Sequence, residues 1–127
     1  MSLTNVPVIS IVDDDESFRR ATAGFVSSLG YTVAAFGSAE EFLKSNCLDD
    51  TACLISDVEM PGMSGIELQN RLIAQGYRLP VIFITAYSAS KARAQALASG
   101  ALGFFDKPFS EEKLISCIDQ ALSGRRA

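Results

Sequence analysis

The sequence predicts an α/β fold, a doubly wound (βα)5 three-layer sandwich in which one parallel five-stranded sheet lies between two layers of helices. Three observations carry that expectation. Four segments of strand length are apolar almost without interruption and rich in β-branched or aromatic residues, as strands covered on both faces are. The stretches between them have helical spacing with start and stop signals. The chain has 127 residues, enough for one core that buries roughly two-thirds of the unfolded surface without metal or disulfide support.

Residues 8–12, Val-Ile-Ser-Ile-Val, form the first expected strand. Phe18, Ala21, Phe25, Val26 and Leu29 follow at helical offsets, so a first helix lays this stripe on the sheet and stops at Gly30. Residues 32–36 give the second strand. Ser38-Ala39-Glu40-Glu41 then reads as a Ser-x-x-Glu capping box, in which serine and glutamate reciprocally satisfy free amides at a helix start. Residues 53–56 are the third strand, and Ser64-Gly65-Ile66-Glu67 is a second box of the same kind. Residues 81–84 are the fourth strand, followed by an alanine-rich helix over 88–99 that ends at Gly100. Gly103-Phe104-Phe105 is a shorter fifth strand. After Ser110 comes the last helical stripe, Leu114, Ile115, Ile118, Ala121 and Leu122. Five strands alternating with five helices build a parallel sheet with right-handed crossovers. Residues 1–5 are expected to be a loose tail, 6–122 the domain, and 123–127 a tail or the start of a linker. No internal repeat or low-complexity segment is present.

Composition excludes whole classes of chemistry. With no histidine in the chain, Ser-His-Asp and Cys-His catalysis, His-ligated zinc and haem drop out. Cys47, Cys53 and Cys117 are odd in number and widely spaced, which reads as free thiols in a reducing, cytoplasmic compartment. Eleven basic against fifteen acidic side chains leave a net charge of −4. That argues against direct nucleic-acid binding by this domain, which needs a dense Lys/Arg surface. No apolar run approaches the ~20 residues of a membrane span, and no basic segment leads into an apolar one at the amino terminus.

The polar residues that interrupt the strands do so at one recurring place. Asp13-Asp14-Asp15 follows the first strand, Asp57 ends the third, Thr85 ends the fourth, and Lys107 follows the fifth. All are carboxyl ends, which share one edge of an open α/β sheet, the edge where ligands bind. Three carboxylates there repel, each pair by about 4 kcal/mol near 4 Å at an effective dielectric near 20. A hard divalent cation offsets this, and Mg²⁺ takes oxygen ligands from one or two carboxylates plus a phosphate. Lys107 adds a further positive charge. Asp13, Asp14 and Asp57 are therefore the candidate site, whereas Asp15 reads equally well as a helix cap.

Val12-Asp13-Asp14-Asp15, Asp57-Val58-Glu59-Met60-Pro61-Gly62-Met63-Ser64-Gly65, Ile84-Thr85-Ala86 and Lys107-Pro108-Phe109, in that order, resemble a response-regulator receiver domain (CheY-like). The similarity runs over residues 6–122. It implies the flavodoxin-like strand order 2-1-3-4-5, which belongs to the family and is not read from these residues. It further implies that Asp57 is the phosphoacceptor for a phosphohistidine on a sensor histidine kinase. Asp13, Asp14, Asp57 and the backbone carbonyl of Glu59 would hold Mg²⁺, Asp13 largely through water. Thr85 would bond the new phosphoryl oxygen, Ala86 would keep access open, and Lys107 would neutralise charge, aimed by a cis Lys107-Pro108 peptide.

Phe104 falls where the family carries an aromatic switch, and core packing accounts for it equally well, with Phe105 expected as the core residue. Glu59 and Tyr87 occupy the two positions that tune phosphoryl lifetime. Such a domain is not a conventional enzyme: it catalyses its own Mg²⁺-dependent phosphorylation and slow autodephosphorylation. Phosphorylation is expected to shift the face over residues 88–122 and to promote self-association, as a phosphorylation-dependent homodimer, or release of an attached domain, with transcription through an attached DNA-binding domain as the output. A free-standing receiver is the alternative. Two rivals remain at this level. One is a haloacid-dehalogenase-type phosphatase with Asp13 as nucleophile and Asp15 as acid, against which the length and the unexplained run from Asp57 to Gly65 argue. The other is a receiver-like module that only binds partners.

Overall fold

Strand β1 (Val8–Val12) lies between β2 (Thr32–Phe36) and β3 (Thr51–Ser56), pairing in parallel with each, and β4 (Val81–Thr85) and β5 (Gly103–Asp106) continue the sheet beyond β3. The order is β2-β1-β3-β4-β5. Helices α1 (Glu16–Ser28), α2 (Ala39–Lys44), α3 (Gly65–Ala74), α4 (Ser90–Ala98) and α5 (Glu111–Ser123) connect the strands. This computed structural model describes residues 7–86 and 90–123. Residues 1–5 and 124–127 of the expected tails, together with Tyr87 and Ser88, lie outside the described residues, while Ser123, expected to begin the second tail, instead ends α5.

Within the apolar strands a period of two is concealed, because both faces are covered. Ile9, Ile11, Cys53, Ile55, Ile82 and Ile84 pack against α1 and α5, meeting Val26, Leu114 and Ile118. Val12, Leu54, Val81, Phe83 and Phe104 point the other way, toward Phe42 of α2, Leu68 and Leu72 of α3, and Ala96 of α4. Each fully buried side chain of this size contributes about 1.5–3 kcal/mol relative to exposure, so the two half-cores hold the sheet rigid and its strand ends in place.

Several expectations shift in detail. β2 is only half-buried, since an edge strand has a neighbour on one side alone. β3 begins at Thr51 rather than at 53, because the β1–β3 register slips between Val8 and Ile9 and leaves Ala52 as the additional residue. In α1, Ala21 is exposed and Thr22 is buried in its stead. Thr22 stands four residues before Val26 and shares its face, whereas Ala21 is one step round the helix.

The Ser64 box is complete: Ser64 Oγ accepts the Glu67 amide at 3.1 Å and Glu67 Oε1 accepts the Ser64 amide at 2.8 Å. The Ser38 box is half formed. Ser38 Oγ accepts the Glu41 amide, but Glu41 turns its carboxylate to the Gly37 amide instead. All three cysteines are free, and burial, with Cys117 nearby, pushes the Cys53 thiol up to about 12. No helix among the described residues is long and apolar enough to cross a membrane.

Candidate functional site

Three backbone hydrogen bonds extend the strand ladder one step past its carboxyl edge and so deliver the polar residues. The Asp13 amide donates to the Phe36 carbonyl at 3.1 Å, the Asp57 amide to the Val12 carbonyl at 2.9 Å, and the Lys107 amide to the Thr85 carbonyl at 2.9 Å. Residues from β1, β3, β4 and β5 therefore meet at one edge, as the spacing requires. Asp13, Asp57 and Thr85 are buried, while Asp14 and Glu59 are exposed.

Carboxylate oxygens of Asp13, Asp14 and Asp57 all lie within 4.8 Å of one another. Lys107 Nζ stands 3.0 Å from Asp13 Oδ2 and 3.1 Å from Asp57 Oδ2, and its ammonium lies 4.3 Å from the Phe18 ring centroid. The opposite oxygens are held by the backbone. Asp13 Oδ1 accepts the Asp15 amide at 2.9 Å and Asp57 Oδ1 accepts the Val58 amide at 2.7 Å. Lys107-Pro108 is cis, as expected.

Burial raises the Asp13 carboxyl above its ordinary range, with the Asp57 charge adding to that, against the lowering effect of the Asp15 amide and of Lys107. Lys107 is subject to the same desolvation, which works to lower it, yet its bonds to Asp13 and Asp57 outweigh this and the net shift is upward. Asp13 thus shifts upward mainly by burial, and Lys107 shifts upward because one ammonium faces two carboxylates. Positive charge is in short supply at this edge. The donor set is all hard oxygen with one exposed member, which fits a partly hydrated Mg²⁺.

Asp15 stays outside the carboxylate group and caps α1, accepting the Phe18 amide at 3.1 Å. The helix-cap reading of Asp15 is thus the one the geometry favours. The expectation for the phenylalanine pair needs correction. Phe104 is buried and Phe105 is only half-buried, because Phe104 faces the α4 side, where it meets Phe83 with ring centroids 6.0 Å apart. Arg93 of α4 holds it there, donating to the Phe104 carbonyl at 3.2 Å with its guanidinium 5.7 Å from the ring centroid. Tyr87 lies outside the described residues.

Sequence reasoning missed Arg19, whose Nη1 donates to the Asp13 carbonyl at 2.8 Å and ties α1 to the acidic loop. Its four-residue offset from Asp15 places the side chain one turn beyond the cap, but the spacing does not name the backbone carbonyl it bonds.

Residues 9–119 match the family model of the response regulator receiver domain. The chain belongs to that family. This receiver is 41% identical over 115 residues to the response regulator protein TodT of Pseudomonas putida, covering 91% of this chain and 51% of that one. Nodulation protein W of Bradyrhizobium diazoefficiens is 38% identical over 111 residues, covering 87% of this chain and 49% of the relative. The solved structure of response regulator StyR superposes with a TM-score of 0.85 at 39% identity, over 93% of this chain and 60% of that one. The receiver spans about half the length of the curated relatives it matches. Receivers of this family are phosphorylation-activated switches of two-component systems, work with sensor histidine kinases, and generally bind Mg²⁺ at an acidic pocket.

Proposed function

We propose that Asp57 accepts a phosphoryl group from a phosphohistidine on a sensor histidine kinase: an Asp57 carboxylate oxygen forms a bond to phosphorus as the phosphorus–nitrogen bond to the histidine breaks. The observation that carries this reading is the Lys107 ammonium within 3.1 Å of both Asp13 and Asp57 carboxylates, inside a three-carboxylate cluster. Asp13, Asp14, Asp57 and the Glu59 carbonyl would hold Mg²⁺, which supplies charge neutralisation to the transferring group when bound. The chain's own residues do the rest. Lys107 offers positive charge to the phosphoryl oxygens, and Thr85, at the end of the adjacent strand, offers its hydroxyl. Val58 and Asp15 amides fix the carboxylates so that no reorganisation is needed at the moment of transfer.

Acetyl-phosphate labelling in Mg²⁺ tests the reading. Label at Asp57 supports it, turnover with label at Asp13 favours the phosphatase, and an unlabelled chain is a binding module. Asp14→Ala, or excess chelator on the wild type, is expected to abolish both Mg²⁺ binding and labelling. Undiminished labelling in chelator overturns the metal assignment.

The output we propose is a phosphorylation-dependent homodimer formed through the α4, β5 and α5 face, driving transcription through a DNA-binding domain in a longer chain. Support comes from the relatives, which are about twice this length and include the transcriptional regulatory protein TdiR of Thauera aromatica. Moving a two-state equilibrium from 1:99 to 99:1 needs about 5.5 kcal/mol of differential interaction. A charge-assisted bond from Thr85 supplies about 1.5–3 kcal/mol, so Lys107 and repacking around Phe104 must contribute the remainder. Thr85→Ala should therefore still accept phosphate. Its dimerisation response to beryllofluoride should fall by roughly tenfold to hundredfold, the free-energy range just given. Full switching in that variant would show that coupling bypasses Thr85. Glu59 and Tyr87 are proposed as the positions that set phosphoryl lifetime.

A further inference from the structure

The loop between β3 and α3 carries Glu59 and must keep its backbone fixed beside Asp57. Its two ends are held locally, by the Gly65 amide on the Val58 carbonyl at 2.9 Å and by the Ser64–Glu67 capping box. Just before that box it is also held from another element. Glu40, on the first turn of α2, reaches over so that its Oε2 accepts the Met63 amide at 3.0 Å, across 23 residues of sequence. The same oxygen lies where Gly62 has no side chain: a Cβ built there would stand 2.7 Å from it. Gly62 has φ +76, so the turn both needs glycine and leaves room for the carboxylate. Glu40 has a firm base, since its helical neighbours Ala39 and Phe42 are fully buried. Its carboxyl is held below the usual range by its own amide and that of Met63, so it is an acceptor at neutral pH.

Building on the receiver reading above, we propose that Glu40 is a positioning residue of the phosphoryl-transfer site, fixing residues 59–63 so that the Glu59 carbonyl is presented to the metal. Glu41 is the natural comparison, because it is next in sequence, is the same residue type, and accepts the Gly37 amide of its own segment. Groups that orient a metal's ligands typically cost 10–100-fold in affinity when removed, and an exposed carboxylate belongs at the low end.

The test compares Glu40→Ala, Glu40→Gln and Glu41→Ala in the whole chain by three readouts: hydrogen exchange of the Met63 amide, calorimetric Mg²⁺ titration, and the thermal midpoint. Glu40→Ala should speed Met63 exchange and weaken Mg²⁺ about tenfold, with a midpoint close to that of Glu41→Ala. Glu40→Gln should restore most of the affinity, because its amide oxygen still accepts. Wild-type Mg²⁺ affinity in Glu40→Ala overturns the proposal, as does an equal loss in Glu41→Ala, which would make the effect a general one of α2. Failure of the underlying reading is distinguishable, since it is seen in the wild type as absent Mg²⁺ binding and absent label at Asp57.

Discussion

Asp57→Asn is expected to reduce phosphoryl incorporation from acetyl phosphate in Mg²⁺ to background while leaving the fold intact. The carboxamide matches the carboxylate in shape, so it still accepts the Val58 amide and still fills a position that is buried in the receiver. It removes the nucleophile, because an amide oxygen of this kind does not form a stable acyl phosphate at neutral pH. It also removes one of three negative charges whose oxygens lie within 4.8 Å. Each pairwise repulsion at such a separation is worth about 3–4 kcal/mol at an effective dielectric near 20. Stability without Mg²⁺ should consequently hold or rise even as Asp57 loses its bond with Lys107. Intact-mass measurement reads the first effect and thermal unfolding the second. Incorporation at the wild-type level would move the acceptor elsewhere.

Gly65→Ala is expected to be the most damaging single-methyl change in the chain. An added Cβ would overlap the Asp57 carbonyl oxygen and lie 2.9 Å from Phe83 Cε1, and the first of these is backbone that cannot swing aside. Either α3 retreats from the sheet or Asp57 moves. Overpacking costs typically 1–3 kcal/mol, and this contact belongs at about 3 kcal/mol, a loss of roughly 10 °C in melting temperature. Because the clash is with Asp57 itself, labelling should slow too, by about 100-fold if the carboxylate shifts by about 1 Å. Gly24→Ala is the control. It lies inside α1 with nothing within 4 Å of the new methyl, and should stabilise by up to about 1 kcal/mol. Equal melting temperatures for the two variants would show that α3 yields freely.

Much of the fold was legible because the strands are apolar runs bounded by abrupt polar residues: β1 and β2 have the expected limits, and the shifts at β3, β4 and β5 are one or two residues. What the runs concealed was which side chain faces which layer. Phe104 and Phe105 are equally apolar, and only the alternation of β5 between α4 and α5 makes Phe104 the buried one. The convergence of Asp13, Asp57, Thr85 and Lys107 followed from their shared position at strand ends. Arg19 and Glu40 were illegible as site residues because each acts through a backbone group on a different element, and a sequence pattern carries no record of such a bond. Glu40 was also disguised by the serine-glutamate spacing around it, which local capping fully accounted for.

Lys107 stands 50 residues beyond Asp57, and their contact orders events as the chain is made. Synthesis proceeds at about 5–20 residues per second, so the acidic strand ends precede their counter-charge by roughly 3–10 s. Strand β1 is made first, and β2 and β3 flank it, so three of the five strands can assemble on the ribosome while β5 is still untranslated. During that interval the three carboxylates are present without the ammonium that faces two of them in the folded chain. If Asp57 is the acceptor proposed above, competence to receive a phosphoryl group is expected only of chains translated through the fifth strand, and fragments that end before Lys107 are expected to stay unlabelled.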